Sequence, residues 1–444
     1  MKFERLLAGL EQSYVIDKTL YDEYNVKRGL RNKDGSGVLT GLTRIGNVTG
    51  YIKEEEEIIP VEGKLRYRGI EINEIVNALN AENRLGFEEV AYLLLLAKLP
   101  TKDEISYFKQ MISENLFLPD GFKENMILKA PSSDIMNKLA RSVLALYSYD
   151  DNPDSLEIKN VLRQSIELIA RFPSLIAYGY QAKSHYYDNL SLNLHLPKNN
   201  LSIAENFLRM IRSNKKYTEL EAKVLDILLI LHAEHGGGNN SAFTTHVVTS
   251  SDTDTYSAIA AAIGSLKGPK HGGANKKVMS MMDDIKANVN NWEDRKEVSE
   301  YILKILNKGA YDKTGLVYGI GHAVYTMSDP RAIILKGYAQ ELAKVNNREK
   351  EYNLYTIIEE ETPGLFAEVR GVNKVLCANV DFYSGFVYNM LQIPPEVYTP
   401  IFAMSRITGW CAHRIEEIIS GGRIIRPAYK SVEGKKEYIP LNQR

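Results

Sequence analysis

A histidine on a glycine-rich turn is the first feature of this sequence that could do chemistry. His271 lies in the stretch GPKHGGAN at residues 268–275, directly before a segment of helical spacing that starts at Lys276. Glycine lets the backbone adopt angles closed to other residues and lets a ligand come close. The positive end of a helix disfavours imidazolium, so a neutral His271 could donate a hydrogen bond to a developing oxyanion. The motif predicts half of an enolisation site, although a capping or core histidine is the alternative.

A second histidine follows a Gly-Ile-Gly turn. His322 precedes Asp329, a typical N-cap, and Pro330, which is favoured at the first position of a helix. Arg331 then adds a full charge to the positive end of that helix. The combination predicts a cradle for a carboxylate or phosphate that His322 could also contact. A solvated first-turn residue is the alternative for Arg331.

A carboxylate near the C-terminus lies among small and apolar residues. Helical spacing places Asp381 on one face with Cys377, Ala378, Ser384 and Gly385. Desolvation there would raise the proton affinity of the carboxylate, and the small neighbours would leave room for a substrate. The pattern predicts a general base that removes a carbon-bound proton. An aspartate satisfied by neighbouring amides is the alternative.

Two further arginines could hold an anion. Arg406 lies in a helical pattern over 397–420 and emerges from an apolar face, so it requires an anionic partner. Arg426 lies on a non-helical C-terminal segment that could reach a neighbouring surface. Either could form an ordinary salt bridge. One carboxylate base, two turn histidines and three arginines together suit a polyanionic keto acid that meets a carbon acid.

A histidine pair raises the question of a metal site. His232 and His235 end an apolar helical segment and should lie on roughly one face of it. No third Cys, His or carboxylate follows at ordinary ligand spacing, and the glycines after His235 suit the close approach of an organic ligand equally well. We therefore expect no metal, and structural histidines remain an alternative.

The rest of the chain predicts a mainly α-helical protein. Apolar residues recur three and four apart over 87–99, 134–148, 161–180, 201–212 and 219–232, whereas 51–72 suggests one or two short strands. A chain of 444 residues favours two domains. Composition changes past His271 and again near 384. We predict a large domain in two parts, 1–277 and 386–444, around a smaller inserted domain at 278–385.

Charge and cysteine content narrow the class of protein. The chain has 55 Lys and Arg against 56 Asp and Glu, so no global field draws it to nucleic acid or an anionic membrane. Cys377 and Cys411 lie in apolar helical patterns, which suits buried thiols in a reducing compartment. The charged N-terminus and the short apolar run at 91–97 predict neither a secretory signal nor a membrane span. We expect a cytoplasmic protein.

The motifs resemble those of the citrate synthase family in order and spacing across about 200 residues. The matching stretches are HAEH and NNS within 232–241, GPKHGGAN at 268–275, GIGH with DPR within 319–331, NVDFYSG at 379–385, SR at 405–406 and RP at 426–427, with a weaker match at 65–69. The resemblance implies an all-α fold, with a large helical domain and a smaller inserted helical domain whose closure shuts out water. It implies no metal, and no cofactor besides the coenzyme A thioester that serves as substrate.

The resemblance also implies the catalytic roles. Asp381 would take the methyl proton of an acyl-CoA thioester, and His271 would hydrogen-bond the resulting enolate. His322 would polarise the ketone of oxaloacetate while the carbon-carbon bond forms. Hydrolysis of the thioester would then make the reaction effectively irreversible, with the stereochemistry of the si type.

Oxaloacetate binding is implied for a partly overlapping set of residues. These residues are His235, His322, Arg331 and Arg406, joined by Arg426 from the partner subunit, so the active unit would be a homodimer. Thr326 departs from the family pattern, because many relatives carry there an arginine that contacts a coenzyme A phosphate. The residues that would bind this phosphate are therefore not assigned.

Three alternatives remain at this point. A 2-methylcitrate synthase would use propionyl-CoA on the same machinery, and one methylene is worth only ~1 to 3 kcal/mol in a pocket. A non-catalytic paralogue would bind acyl-CoA or a keto acid without turnover. A histidine-ligated metalloenzyme would require stoichiometric metal.

Overall fold

The chain divides into two compact units. The computed structural model describes residues 4, 7, 10–54, 57–322, 324–371 and 375–444. The first unit is Met1–Leu42 and the second is Thr43–Arg444. The regular elements described in the first unit are α1 (Leu10–Ser13), α2 (Thr19–Glu23) and a 3₁₀ turn (Arg28–Leu30).

A three-stranded antiparallel sheet opens the second unit. Strand β1 (Gly46–Glu54) pairs with β2 (Glu57–Tyr67), which pairs with the two-residue strand β3 (Ile70–Glu71). The sheet starts earlier than residue 51 and has one strand more than the sequence indicated. The buried Tyr67 hydroxyl donates to the carbonyl oxygen of Ile230 at 2.8 Å, which fastens the sheet to the helical core.

Helices make up most of the second unit, so the prediction of an all-α fold class is confirmed. They are α3 (Ile72–Ala81), α4 (Phe87–Leu96), α5 (Lys102–Glu114), α6 (Ile135–Leu146), α7 (Ile158–Asp188), α8 (Ile203–Ile211), α9 (Glu219–His232), α10 (Asn240–Thr249), α11 (Thr255–Lys267), α12 (Ala274–Asn288), α13 (Arg295–Leu306), α14 (Pro330–Val345), α15 (Glu349–Arg370), α16 (Val380–Met390) and α17 (Tyr398–Ile419). A π-helical turn (Lys123–Leu128) precedes α6, and short 3₁₀ turns are Tyr147–Tyr149, Pro395–Val397 and Leu441–Gln443.

Helix starts follow capping residues in the sequence. Thr218 caps α9 in a reciprocal box with Glu221, and Asp329 caps α14 with Pro330 at its first position. Helix α9 has the predicted bounds. Helix α7 extends beyond the predicted 161–180 at both ends, and the chain leaves the helix only at Asn189, where φ is +59°.

Helix α17 lies at the centre of the core. Every residue from Tyr398 to Ile415 is buried, and the helix packs against α4, α7, α9, α10 and α11. Helix α16 packs against α12 and α14. The helices that carry or follow the predicted reactive residues are therefore fixed by the core.

The two cysteines lie in different environments. Cys411 is buried in α17 as predicted, but Cys377 precedes α16 in non-helical backbone and is only half-buried, so its helical placement was wrong. No helix among the described residues is long and apolar enough to cross a membrane. The division into 1–277, 278–385 and 386–444 stays a prediction.

Candidate active site

The His322 turn and the start of α16 form one hydrogen-bonded body. The Asn379 N–H donates to Gly319 O at 2.9 Å, and its side-chain amide donates to Gly321 O at 2.8 Å. The Gly321 N–H donates in return to Cys377 O at 2.7 Å. Gly319 has φ +85°, and a Cβ there would lie 2.7 Å from the Phe382 ring, so no side chain fits. These contacts bring His322 next to the helix that carries Asp381.

His322 is held as a neutral hydrogen-bond donor. Its Nδ1 accepts from the N–H groups of Val324 at 3.0 Å and Tyr325 at 3.1 Å. An Nδ1 that accepts leaves the ring proton on Nε2. Burial, reinforced by the Arg331 charge, lowers the pKa of His322 to about 4, so the ring stays neutral above that pH.

His271 is held in the opposite tautomer. The Ser241 backbone N–H points at its Nε2 from 3.4 Å, and the Ser241 hydroxyl lies 2.9 Å from the same nitrogen. A backbone N–H can only donate, so Nε2 accepts and Nδ1 carries the proton. Trp410 Nε1–H fixes the Ser241 hydroxyl at 3.1 Å. Burial, and then the Arg406 charge, lower the pKa of His271 to about 4.

The turn that carries His271 tolerates no side chain at Gly272. A Cβ there would lie 2.5 Å from the carbonyl oxygen of Leu266, and Thr399 Oγ1 donates to Gly272 O at 3.0 Å. The helix predicted after this turn is confirmed, and α12 begins at Ala274, two residues before the predicted Lys276.

Asp381 is the second residue of α16. The N-cap Asn379 accepts a hydrogen bond from its N–H at 3.0 Å, whereas no described residue donates to its carboxylate. Burial raises the pKa of Asp381 to about 6, against the opposing charges of Arg331 and Arg406. An ionised carboxylate with raised proton affinity is what a general base requires.

The prediction of which residues share a helical face with Asp381 is only partly correct. Ser384 and Gly385 lie on α16 and are buried, but Cys377 and Ala378 precede the helix and share no helical face with Asp381. The helix starts later than the apolar spacing suggested, because Asn379 caps it. Gly385 allows α12 to approach, since a Cβ there would lie 2.6 Å from Met279 Cγ.

Arg331 is buried and oriented by its own N-cap. Its Nε and Nη2 donate to Asp329 at 3.0 and 2.8 Å, and no described residue accepts from Nη1. Asp329 also accepts from the N–H of Val380 at 3.1 Å. Asp329 therefore joins α14 to α16 and fixes Arg331 beside Asp381. The sequence showed its capping role but not these contacts across 51 residues of chain.

Arg406 supplies a second buried guanidinium. Its Nε donates to the carbonyl oxygen of His232 at 2.7 Å, and its guanidinium carbon lies 4.8 Å from the centre of the Phe402 ring. Burial lowers the pKa of Arg406 to about 10, although the Glu234 charge opposes this. No described residue accepts from its two terminal amino groups. Two buried guanidinium groups with free donors form an anion-binding region.

His235 lies in the same region with an unpaired nitrogen. Its Nε2 is buried and has no hydrogen-bond partner among the described residues. Its ring centre lies 5.3 Å from that of His322. Burial, the Arg331 charge and the His322 ring hold its pKa well below the ordinary value. A buried polar atom without a partner indicates a bound ligand or water.

His232 does not share this role. Helix α9 ends at His232, so His235 lies beyond it and the expectation of one shared face was wrong. His232 Nδ1 lies 2.9 Å from the carbonyl oxygen of Leu228 and is a structural core histidine. Within the described residues, no three His, Cys, Asp or Glu side chains are grouped so that they could hold a metal ion.

Tyr325 was not singled out from the sequence. Its ring lies 4.8 Å from His322 and 5.5 Å from His235, and the Arg331 guanidinium lies 5.6 Å from the ring centre. Its hydroxyl is buried without a described partner. Only its position three residues after His322 could have indicated it. Tyr325 forms an aromatic wall shared by the two histidines.

The chain matches a known family over most of its length. Residues 35–428 match the family model described as citrate synthase, C-terminal domain. The chain belongs to the citrate synthase family. The chain is 33% identical over 415 residues to citrate synthase from Synechocystis sp., covering 93% of this chain and 94% of that one. It is 32% identical over 382 residues to 2-methylcitrate synthase from Shewanella oneidensis, covering 86% and 92%.

A solved citrate synthase shares the fold. The ternary complex of carboxymethyl coenzyme A and oxaloacetate with citrate synthase from Thermoplasma acidophilum superposes with a TM-score of 0.76 at 28% identity. The match covers 94% of this chain and 99% of that chain. Membership in the citrate synthase family makes the protein an enzyme of the condensing acyltransferase type.

Two further residues of this citrate synthase family member were singled out from the sequence, Arg426 and Thr326. Arg426 is exposed on the C-terminal segment, where the preceding Ile425 N–H donates to Ser250 Oγ at 3.0 Å. Its predicted role in a partner subunit's site stays a prediction. The Thr326 hydroxyl donates to the carbonyl oxygen of Gly50, so this side chain is hydrogen-bonded to the β1 strand.

Proposed function

We propose that this protein condenses acetyl-CoA with oxaloacetate and hydrolyses the resulting thioester to citrate and coenzyme A. One observation carries the proposal. The buried carboxylate of Asp381, with its raised pKa, interacts with the charges of the buried Arg331 and Arg406. The same two charges act on two neutral histidines of opposite tautomer, Arg331 on His322 and Arg406 on His271. An aldol-type condensation of a thioester requires three groups: a base, a hydrogen-bond donor to the enolate oxygen and a hydrogen-bond donor to the ketone oxygen.

Each proton has a defined place in the proposed reaction. Asp381 removes a methyl proton of the thioester, and His271 Nδ1–H hydrogen-bonds the enolate oxygen that forms. The enolate carbon then bonds to the ketone carbon of oxaloacetate while His322 Nε2–H supplies a proton to the ketone oxygen. Water then adds to the thioester carbonyl, and the proton it loses restores neutral His322. The thiolate leaves with the proton held by Asp381, which is thereby ionised again, and the new carboxylic acid releases its proton to solvent. Neutral histidines suit both steps, because imidazolium would be costly beside Arg331 and Arg406.

The two substrate carboxylates are assigned to the cationic groups. Arg331 through Nη1 and Arg406 through its terminal amino groups provide charged donors, and His235 Nε2 provides a further contact. We propose that Arg426 of the partner subunit completes the site, so that the functional unit is a homodimer. The ternary complex of the T. acidophilum enzyme, with oxaloacetate and a coenzyme A derivative bound, supports this choice of ligands.

Release of free thiol tests the activity directly. We expect thiol release from acetyl-CoA only when oxaloacetate is present, and we expect citrate as the product. No release at high protein concentration, together with measurable binding of either ligand, would instead identify a non-catalytic binding paralogue. A thiol signal without oxaloacetate would indicate a simple thioesterase.

Propionyl-CoA is the second candidate thioester, because one relative is a 2-methylcitrate synthase at 32% identity. The ratio of kcat/KM for the two thioesters separates the alternatives. We expect acetyl-CoA to be preferred, and a ratio that favours propionyl-CoA would make the protein a 2-methylcitrate synthase.

The pH dependence of kcat/KM for the thioester should report Asp381. Its folded-state pKa is about 6, so the base form predominates above that pH and is lost as the pH falls through 6. The two histidines titrate near 4 and should not contribute to this limb. We expect an acid limb of unit slope centred near pH 6. A flat profile down to pH 5 would contradict the assignment.

A further inference from the structure

Four hydrogen-bonded side chains, none of them a proposed reacting group, lead from the protein surface to the loop that carries His235. His246 in α10 places Nδ1 2.8 Å from Glu417 Oε2 and Nε2 3.1 Å from His413 Nδ1. His413 in α17 places Nε2 3.0 Å from Glu234 Oε1. The side chains of His413 and Glu234 are fully buried, whereas those of His246 and Glu417 remain 14% and 17% exposed.

The contacts fix how many protons the two rings hold. Each of the three hydrogen bonds needs one proton, and an ionised carboxylate can only accept. With Glu234 and Glu417 ionised, three of the four ring nitrogens must be protonated. The ring pair of His246 and His413 then carries one positive charge between carboxylates, and Glu416 Oε2, 4.0 Å from His413 Nδ1, adds a further negative group.

Electrostatics oppose a second additional proton on the ring pair. The cations whose charges act on Glu234 are Arg406 and, from the sheet side, Arg68. Burial and the neighbouring His413 lower the pKa of His246, while Glu417 and Glu416 oppose this. Burial alone would raise the pKa of Glu234, but His413 and Arg406 bring it below the ordinary value, so Glu234 is ionised at neutral pH. A second proton on the pair would place two imidazolium ions in contact.

The ring pair lies directly against the loop that carries His235. A Cβ on Gly237 would lie 3.3 Å from His413 Cε1 and 3.4 Å from His246 Nε2, so the loop backbone rests on both rings. Glu234 immediately precedes His235, and its charge also acts on Arg406. The position of Glu234 therefore influences a histidine and an arginine of the proposed site.

We propose that His246 and His413 are positioning residues. Together they share one proton more than two neutral rings hold, and they fix Glu234 so that His235 and Arg406 are placed to bind a dicarboxylate. This inference rests on the proposed binding of oxaloacetate. Loss of the shared proton at high pH leaves one of the three contacts without a hydrogen, and the His235 loop loosens. The KM for oxaloacetate should then rise with pH, while the KM for the acyl-CoA should not follow it.

Two substitutions at His413 separate positioning from general structure. In His413→Gln the amide can replace Nε2–H at Glu234, whereas the side chain in His413→Asn is too short to reach it. Because His413→Asn leaves a buried acceptor unsatisfied, we expect the KM for oxaloacetate to rise roughly tenfold or more in that variant and less in His413→Gln. The KM for acetyl-CoA should stay within about twofold. Equal changes for both substrates, or equal effects of both variants, would overturn the positioning role.

A matched control comes from a histidine outside the network. His195 Nε2 lies 3.0 Å from the carbonyl oxygen of Ser213, and the residue is half-buried. His195→Gln should therefore leave both KM values unchanged. Should His413→Asn fail to fold, the half-buried His246→Gln provides the second variant, in which the rise of the oxaloacetate KM with pH should disappear.

The proton count can be measured without any substrate. NMR of the full-length protein labelled with ¹⁵N-histidine should show three ring protons on the pair at neutral pH. One should leave on raising the pH, over the range in which the oxaloacetate KM rises. Two neutral rings at neutral pH, or a KM that is flat through this titration, would overturn the proposal. Wild-type protein that fails to bind oxaloacetate would refute the proposed function separately, because the NMR result does not depend on it.

Discussion

Replacing Asp381 with asparagine is expected to abolish condensation while leaving oxaloacetate binding largely intact. The amide cannot accept the methyl proton, and a positioned general base contributes about 10²- to 10⁴-fold to a rate. Oxaloacetate is assigned to other groups, namely Arg331, Arg406 and His235. Thiol release measures the loss of kcat, and calorimetric titration of oxaloacetate measures the retained affinity.

The conservative variant Asp381→Glu provides the control. It keeps a carboxylate at the start of α16 but moves the oxygens by about one carbon-carbon bond, so part of the rate should remain. The acid limb should persist in this variant, because a carboxylate still titrates. Turnover of Asp381→Asn equal to wild type would exclude Asp381 as the base.

Arg331→Leu is expected to raise the requirement for oxaloacetate sharply. An unpaired substrate carboxylate in a dry site costs ~2 to 5 kcal/mol, which corresponds to a KM increase of roughly 30-fold to several thousandfold. The KM for acetyl-CoA, measured at saturating oxaloacetate, should change little. Equal effects on the two substrates would count against the assignment of Arg331 to oxaloacetate.

The contacts of Arg331 require a second variant. Asp329 would lose both guanidinium hydrogen bonds in Arg331→Leu and would be left as a buried charge, so the thermal unfolding temperature should also fall. Arg331→Lys keeps a cation beside Asp329 but cannot present the guanidinium fork. A raised oxaloacetate KM in the lysine variant, with near-normal unfolding, would separate substrate binding from the stability effect.

Much of the fold was readable because local signals agree with it. Helix α9 shows its capping box and its apolar repeat in the sequence, and its bounds are those predicted. Cys377 and His235 were wrongly placed on helices because composition alone does not show where a helix begins or ends. Apolar or small neighbours continue past a helix end, and the capping residue rather than the composition decides where the helix starts or stops.

The candidate site was only partly readable. His271, His322 and Asp381 were marked by glycines and helix starts that are visible locally. The contact of Asp329 with Val380 and the chain from Glu417 to Glu234 join segments that are distant in sequence. Spacing along one helix cannot predict such contacts, because they depend on how helices pack. Tyr325 was missed since a buried hydroxyl without a partner is a property of the folded site alone.

Deuterium exchange tests the central claim most directly. In D₂O, acetyl-CoA and a dicarboxylate that lacks the ketone of oxaloacetate can enolise but cannot condense. We predict that the wild-type protein incorporates deuterium into the acetyl methyl group, observed by proton NMR, and that Asp381→Asn does not. Exchange by Asp381→Asn at the wild-type rate would show that another group removes the proton and would contradict the proposed mechanism.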